Sequence, residues 1–234
     1  TTLIKEGVSK ILNRPFAFLA LGGATDASFL EGHSYTYEGS QWGKIVDILI
    51  KCKSMNPVIY FDELDKISET PKGEEIAGIL THLTDTTQND KFHDKYFSNI
   101  DFNLSKAMFI FSYNEENKVN PILKDRMYRI KTDGYGSKQK CVIANDYLIP
   151  KIQENVNFEK GQIIIPDETI SYICETLTDN EKGVRNLKRC LEIIYTKLNL
   201  YRLMKEGSSL FNKEETIKVE FPFTVTRDIV DKLI

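Results

Sequence analysis

The chain has 234 residues, of which 41% are hydrophobic and 28% charged, with a formal net charge of -3. That balance suits a folded globular protein with a real core, its slight acidity offers no global attraction for nucleic acid, and no apolar run approaches the ~18 residues of a membrane-spanning helix. The four cysteines, Cys52, Cys141, Cys174 and Cys190, lack the close paired spacing of zinc or redox motifs and read as inert thiols of a reducing compartment.

In residues 1–12, Ile4, Val8, Ile11 and Leu12 recur at helical spacing, and Pro15 forces an extended exit. Residues 16–21 form a short apolar run that stops at Gly22-Gly23. Residues 58–61 repeat the pattern before Asp62-Glu63, and residues 108–112 repeat it before Asn114. Short, uninterrupted apolar strands predict a sheet covered on both faces. Between them, Val46, Leu49 and Ile50 predict one helix face, and Ile76, Ile79, Leu80 and Leu83 predict another. This alternation predicts an α/β domain with a mainly parallel sheet, whose ligand lies at the carboxyl ends of the strands, beside Asp62, Glu63 and Asn114.

After residue 133 the pattern becomes mostly helical. Ile170, Ile173, Cys174 and Leu177 make one apolar stripe, while Val184, Leu187, Leu191, Ile194 and Leu198 make a longer one. Asp167 is the expected N-cap of the first, after Pro166. Residues 217–234 read as a β-rich stretch followed by a short helix capped by Thr226. The expected division is residues 1–133 as the α/β part and residues 134–234 as a helical part, with a hinge near Gly134.

Taken alone, an acidic pair after a strand often does no more than solvate the strand's end. The functional reading is a Walker B pair, in which Asp62 helps hold Mg2+ and Glu63 orients and polarises the water that attacks a γ-phosphate. Asn114 either closes a turn or, beside that pair, acts as a sensor amide for the same water. Arg126, in Leu123-Lys124-Asp125-Arg126-Met127, is either a surface ion-pair residue or an arginine finger. Arg185 opens a helix as a solvated residue or senses the γ-phosphate. His33, His82 and His93 show no partnered arrangement for nucleophilic or metal chemistry.

Several segments resemble the AAA+ module of Lon proteases when taken in order. Leu21-Gly22-Gly23, Asp26, Gly32-His33, Thr36-Tyr37, Gly39 and Gly43 are similar to the segment after that family's first strand pair. Asn56-Pro57 leading to Phe61-Asp62-Glu63-Leu64-Asp65-Lys66 resembles its Walker B strand. Gln88-Asn89, Phe92, Asp94, Tyr96 and Asp101-Phe102-Asn103-Leu104-Ser105-Lys106 resemble a run that other AAA+ families do not share. Asp125-Arg126-Met127, Gly134-Tyr135 and Gly183-Val184-Arg185-Asn186-Leu187 complete the series.

The resemblance implies an AAA+ P-loop large subdomain with a mainly parallel sheet, followed by a mostly helical lid subdomain, with ATP and Mg2+ between them. It implies Walker B roles for Asp62 and Glu63, sensor 1 for Asn114, a finger acting on the neighbouring subunit's ATP for Arg126 and sensor 2 for Arg185. Thr1 matches the hydroxyl residue that ends the glycine-rich loop, where it would bind magnesium. The loop's glycines and lysine do not precede it here, so these residues alone are expected not to bind ATP competently. Tyr37 matches an aromatic that grips unfolded polypeptide in a central pore. Glu38 stands where the family is apolar, and Trp42 is a nearby aromatic that compensates.

The family further implies a homo-oligomeric ring, a hexamer, acting on unfolded or damaged protein. It also implies a cytoplasmic or mitochondrial-matrix setting and, by resemblance only, DNA as a partner. No serine or lysine here matches the family's proteolytic pair. The competing readings are a different AAA+ machine, against which the 88–106 and 21–43 segments speak, and a non-catalytic Lon-like scaffold or DNA-binding protein.

Overall fold

The computed structural model describes residues 1–24, 26–36, 38–67, 70–179, 181–203, 217 and 219–234. The chain divides into two compact units, Thr1–Arg129 and Ile130–Ile234. Each has its own apolar core.

The first unit is built on three parallel strands, β1 (Phe16–Ala20), β2 (Val58–Asp62) and β5 (Met108–Phe111), in the order β1-β2-β5. Phe16 pairs with Val58 through to Ala20 with Asp62, and Val58 pairs with Met108 through to Phe61 with Phe111. The expected burial on both faces holds only for β2, where Val58 to Phe61 are all buried. β1 alternates instead, leaving Phe18 49% exposed, and β5 is half-buried throughout. The reason is position: β2 has a strand on each side and aromatic rings on both faces. Phe61 stacks on Phe111 at 4.8 Å between centroids, while Tyr60 meets Phe16 and Phe18.

Helix Lys44–Cys52 buries Ile45, Val46, Ile48 and Leu49. Ile50, expected on that face, is 52% exposed, because the buried stripe is centred on the 45-48-49 row. Helix Pro71–Thr84 behaves as its sequence predicts. Thr70 caps it by accepting from Gly73 N, Pro71 occupies the first turn, and Ile76, Ile79, Leu80 and Leu83 are buried. Between that helix and β5 lies a small antiparallel ribbon, β3 (Phe92–His93) with β4 (Asp101–Phe102). Residues 1–12 are helical, but only part of the expected face is covered: Ile4 and Val8 are half-buried, whereas Ile11 is 85% exposed and Leu12 41%.

The second unit packs helices Ser137–Ile143, Ile149–Asn155, Asp167–Tyr172, Arg185–Leu203 and Arg227–Leu233 around Ile170, Ile173, Leu187, Leu191, Ile194, Tyr195 and Leu198. A two-residue parallel pair, β6 (Ile163–Ile164) with β7 (Phe223–Thr224), closes one side. The β-rich reading of residues 217–234 reduces to β7, since Ile217 and Val219 pack on the core without strand pairing. Asp167 is the first helical residue rather than the cap, which falls on Pro166. Its carboxylate accepts from Asn145 Nδ2 at 2.7 Å instead. Thr226 does stand at the N-cap of Arg227–Leu233, without a side-chain capping bond.

Candidate functional site

Three strand ends are knitted together by backbone hydrogen bonds at the carboxyl edge of the first unit's sheet. Leu21 N donates to Asp62 O, Ser112 N to Phe61 O and Leu64 N to Ser112 O, each at 2.9 Å. The exits of β1, β2 and β5 therefore leave the sheet side by side. Asp62 closes β2 with its Oδ1 accepting from the Ser112 hydroxyl and from the Tyr60 hydroxyl at 3.2 Å. Among the described residues its other oxygen receives no hydrogen bond, so one lone-pair face stays open at the end of a buried strand.

Glu63 follows in the left-handed region, at φ 60 and ψ 47. A residue with a Cβ holds that conformation at a cost of about 1–2 kcal/mol, so the surrounding bonds must impose it. The turn brings the Glu63 side chain over the end of β1: a Cβ on Gly22 would lie 2.5 Å from Glu63 Oε2. A side chain at position 22 would therefore push the Glu63 carboxylate aside. Glu63 itself is exposed, in position to meet a solvent-borne ligand.

Behind the pair, a 3-10 turn, Leu64–Lys66, buries Asp65. Asp65 Oδ2 accepts from Glu115 N at 3.3 Å, which ties the segment carrying exposed Asn114 to the exit of β2. Among the described residues, the buried Asp65 Oδ1 has no hydrogen-bond partner. The structure therefore brings Asp62, Glu63 and the Asn114 segment to one edge. Tyr60, Ser112, Asp65 and Gly22 support them, and nothing in the sequence pattern marked the first three as supports.

Arg126 caps the short helix Pro121–Asp125, and its guanidinium forms an ion pair with Asp85 of the same unit at 2.7 Å. Arg126, then the Thr87 hydroxyl and amide, hold the Asp85 carboxyl well below the usual carboxylate range. The contact runs through Nη1, and the side chain keeps 34% exposure. Thr1 is exposed, its carbonyl accepting from Ile4 N and Lys5 N. Glu38 and Trp42 are exposed, and Tyr37 lies outside the described residues.

In the second unit Arg185 is exposed in the first turn of Arg185–Leu203, which Glu181 caps by accepting from Asn186 N at 2.7 Å. Nearby is a cavity of about 450 Å3 lined by Gly134, Tyr135, Ser137, Lys140, Glu181 and Lys182. Gly134 is in close contact there, since a Cβ would lie 2.9 Å from Lys182 O. Buried Lys140 donates to Glu181 O. No group of three or more metal-ligating side chains occurs among the described residues.

Residues 1–134 match the ATPase family associated with various cellular activities (AAA). The chain belongs to the AAA family of ATPases. Within it, this is a Lon-type AAA+ module. It is 42% identical over 207 residues to a Lon protease homolog of Acanthamoeba polyphaga mimivirus, covering 88% of this chain and 20% of that protein. It is 37% identical over 218 residues to the Lon protease of Clostridium acetobutylicum, covering 93% of this chain and 28% of that one. Against the mitochondrial Lon protease homolog of Schizosaccharomyces pombe, identity is 34% over 214 residues, covering 92% of this chain and 20% of that protein. The chain thus spans between a fifth and three tenths of the length of these relatives. No helix among the described residues is long and apolar enough to cross a membrane.

The AAA family implies nucleotide binding, and the parallel sheet β1-β2-β5 carries Asp62 and Glu63 at its carboxyl edge.

Proposed function

We propose that this AAA module is the ATP-hydrolysing motor of a Lon-type protease, using cleavage of the β–γ phosphoanhydride bond to unfold polypeptide and feed it to a serine peptidase. The observation that carries the reading is the left-handed Glu63 at the end of the buried β2, with its carboxylate packed over Gly22 and its neighbour Asp62 oriented by Tyr60 and Ser112. A backbone held in the left-handed region beside an acidic pair at the sheet's carboxyl edge is the kind of local strain that clusters at functional sites.

In this reading Glu63 orients the attacking water and takes its proton as the new O–P bond forms, while the bond from the γ-phosphorus to the β-phosphate oxygen breaks and ADP leaves with that electron pair. Asn114 donates its amide to the same water. Asp62 offers its free oxygen to Mg2+, whose preference for one or two protein oxygens plus waters suits a lone carboxylate with the Thr1 hydroxyl. When bound, the ion withdraws charge from the phosphate oxygens. Arg126 donates N–H groups to the neighbouring subunit's γ-phosphate, which makes a ring, a hexamer, the active form. Arg185 senses that phosphate from the helical subdomain, residues 134–234, and residues 1–133 form the α/β subdomain. Tyr37, with Glu38, grips the polypeptide, and Trp42 supports that loop from its base. A cytoplasmic or mitochondrial-matrix location accords with the relatives.

The test is ATP turnover in the full-length protein carrying Glu63→Gln. Hydrolysis is expected to fall by about 10²- to 10³-fold with ATP binding retained, as for loss of an aligned catalytic group. Turnover close to the parent's would refute the assignment and favour a non-catalytic relative.

A further inference from the structure

Asp94, just beyond β3, is fully buried, and no ion pair among the described residues reaches it. A desolvated carboxylate is costly unless hydrogen bonds to the charged form offset the loss of water. Asp94 obtains them from two backbone amides in different segments. Oδ1 accepts from Tyr96 N at 2.9 Å, within its own ribbon, and Oδ2 accepts from Gly43 N at 2.7 Å.

Gly43 is where the loop of residues 33–42 re-enters the fold, as the N-cap of helix Lys44–Cys52. The other end of that loop, Gly32, crosses directly against it. A Cβ on Gly43 would lie 2.0 Å from Leu30 O, and one on Gly32 would lie 2.7 Å from Gly43 N, with Gly32 already at φ 75. His33 N donates to Gln41 O at 3.0 Å one step further out. Two glycines in backbone contact thus form a narrow root, and beyond the His33–Gln41 bond the Ser40 hydroxyl donates to Ser34 O at 2.6 Å.

The ribbon adds the long-range ties. Lys95 N donates to Glu31 O at 2.7 Å, and Lys95 Nζ pairs with Glu31 at 3.0 Å. Trp42 sits edge-on to Tyr96 at 5.8 Å and tilted against Phe97 at 6.2 Å, while Phe97 rests on Phe102 of β4. Hydrogen bonds, an ion pair and rings all join residues 31–43 to residues 94–102, with the buried carboxylate at the centre.

We infer that Asp94 is a positioning residue for the polypeptide-gripping loop, locking its root to the β3–β4 ribbon so that loop and ribbon move as one body. This rests on the gripping role proposed above. Trp42 then serves as a brace at the root. Rigid attachment matters because a loop that grips must transmit displacement from the hydrolysis site instead of bending at its glycines.

The test uses the full-length protein with Asp94→Asn, which replaces one acceptor by a donor facing an amide, and with Tyr96→Ala, which removes only a half-buried ring. Two measurements are made: hydrogen exchange in peptides spanning residues 29–44 and 92–103, and hydrolysis of ATP with α-casein as the unfolded polypeptide. Exchange is expected to rise together in both segments in Asp94→Asn, and to rise in residues 29–44 for Tyr96→Ala although that substitution lies outside them. The casein concentration giving half-maximal stimulation should rise about tenfold in Asp94→Asn, with maximal turnover changed less than about twofold.

Protection of residues 29–44 unchanged in Tyr96→Ala would overturn the locking, even if Asp94→Asn failed to fold. A fall in maximal turnover at unchanged half-saturation would overturn the positioning role in favour of a general structural one. A parent protein whose hydrolysis ignores casein would instead refute the gripping reading, and the exchange data would still decide the anchoring.

Discussion

The Glu63 carboxylate lies where the side chain of residue 22 would be: a Cβ on Gly22 would come within 2.5 Å of Glu63 Oε2. Gly22 is therefore a vacancy kept for a carboxylate, and even one methyl group must displace it. Gly22→Ala in the full-length protein is expected to lower maximal ATP turnover about 10- to 100-fold, the scale set by a misplacement of about 1 Å, with its melting temperature nearly unchanged. Steady-state hydrolysis and a thermal melt check this together. Parent-like turnover would mean that the Glu63 position seen here is not the working one.

Asp85 and Arg126 form a pair within one unit. If Arg126 is the residue that reaches a neighbour's nucleotide, Asp85 sets where its guanidinium starts. Arg126→Ala should reduce turnover at least about 10³-fold, as for other arginine fingers. Asp85→Ala should reduce it by about tenfold alone and have no further effect in the Arg126→Ala background, because non-additivity is the signature of residues acting through one another. Independent, additive losses would separate the two residues.

The depressed titration of Asp85 gives that pair a pH signature. A carboxylate with a lowered folded-state pKa contributes stability that is fully present above its ordinary range and is lost only as pH falls through the lowered value. Activity lost between about pH 5 and 4 should therefore be the same in Asp85→Asn and the parent once each is scaled to its own neutral-pH rate. A shifted acid limb in the variant would contradict this.

Tyr37→Ala is expected to leave most of the ATP turnover in place while slowing degradation of a folded, tagged substrate severalfold. Tandem measurement of the two activities decides it. Equal loss of both would count against a gripping role.

Tyr195 is the largest wholly buried side chain of the second unit, and its hydroxyl accepts from Gln153 Nε2 at 3.2 Å. Burial pushes the phenol up to about 12. A raised folded-state pKa contributes stability that is complete below the ordinary phenol range and disappears as pH rises through the shifted value. Chemical denaturation should show stability falling from about pH 10 upward, and Tyr195→Phe should flatten that limb. At neutral pH the same variant should be less stable by about 1 kcal/mol, because buried Gln153 loses its partner. An unaltered alkaline limb would assign the titration elsewhere.

Much of this was legible in the chain itself. Apolar runs ending in Asp62-Glu63 and before Asn114 determined three parallel strands with the acidic pair at their carboxyl ends. The 76-79-80-83 and 187-191-194-198 rows determined two helices and their buried faces, since local periodicity and side-chain type suffice where a single face meets a core. What only the tertiary structure decided concerns pairs distant in sequence. Gly22 beneath Glu63, Ser112 on Asp62, Asp85 on Arg126 and Asp94 on Gly43 join positions between 41 and 51 residues apart. Ile50 and Ile11 turned outward for the same reason, because the covering of an apolar face depends on which elements the fold brings over it. A carboxylate's role depends on what lies within hydrogen-bonding distance, and that distance is set only when the strands and loops close on one another.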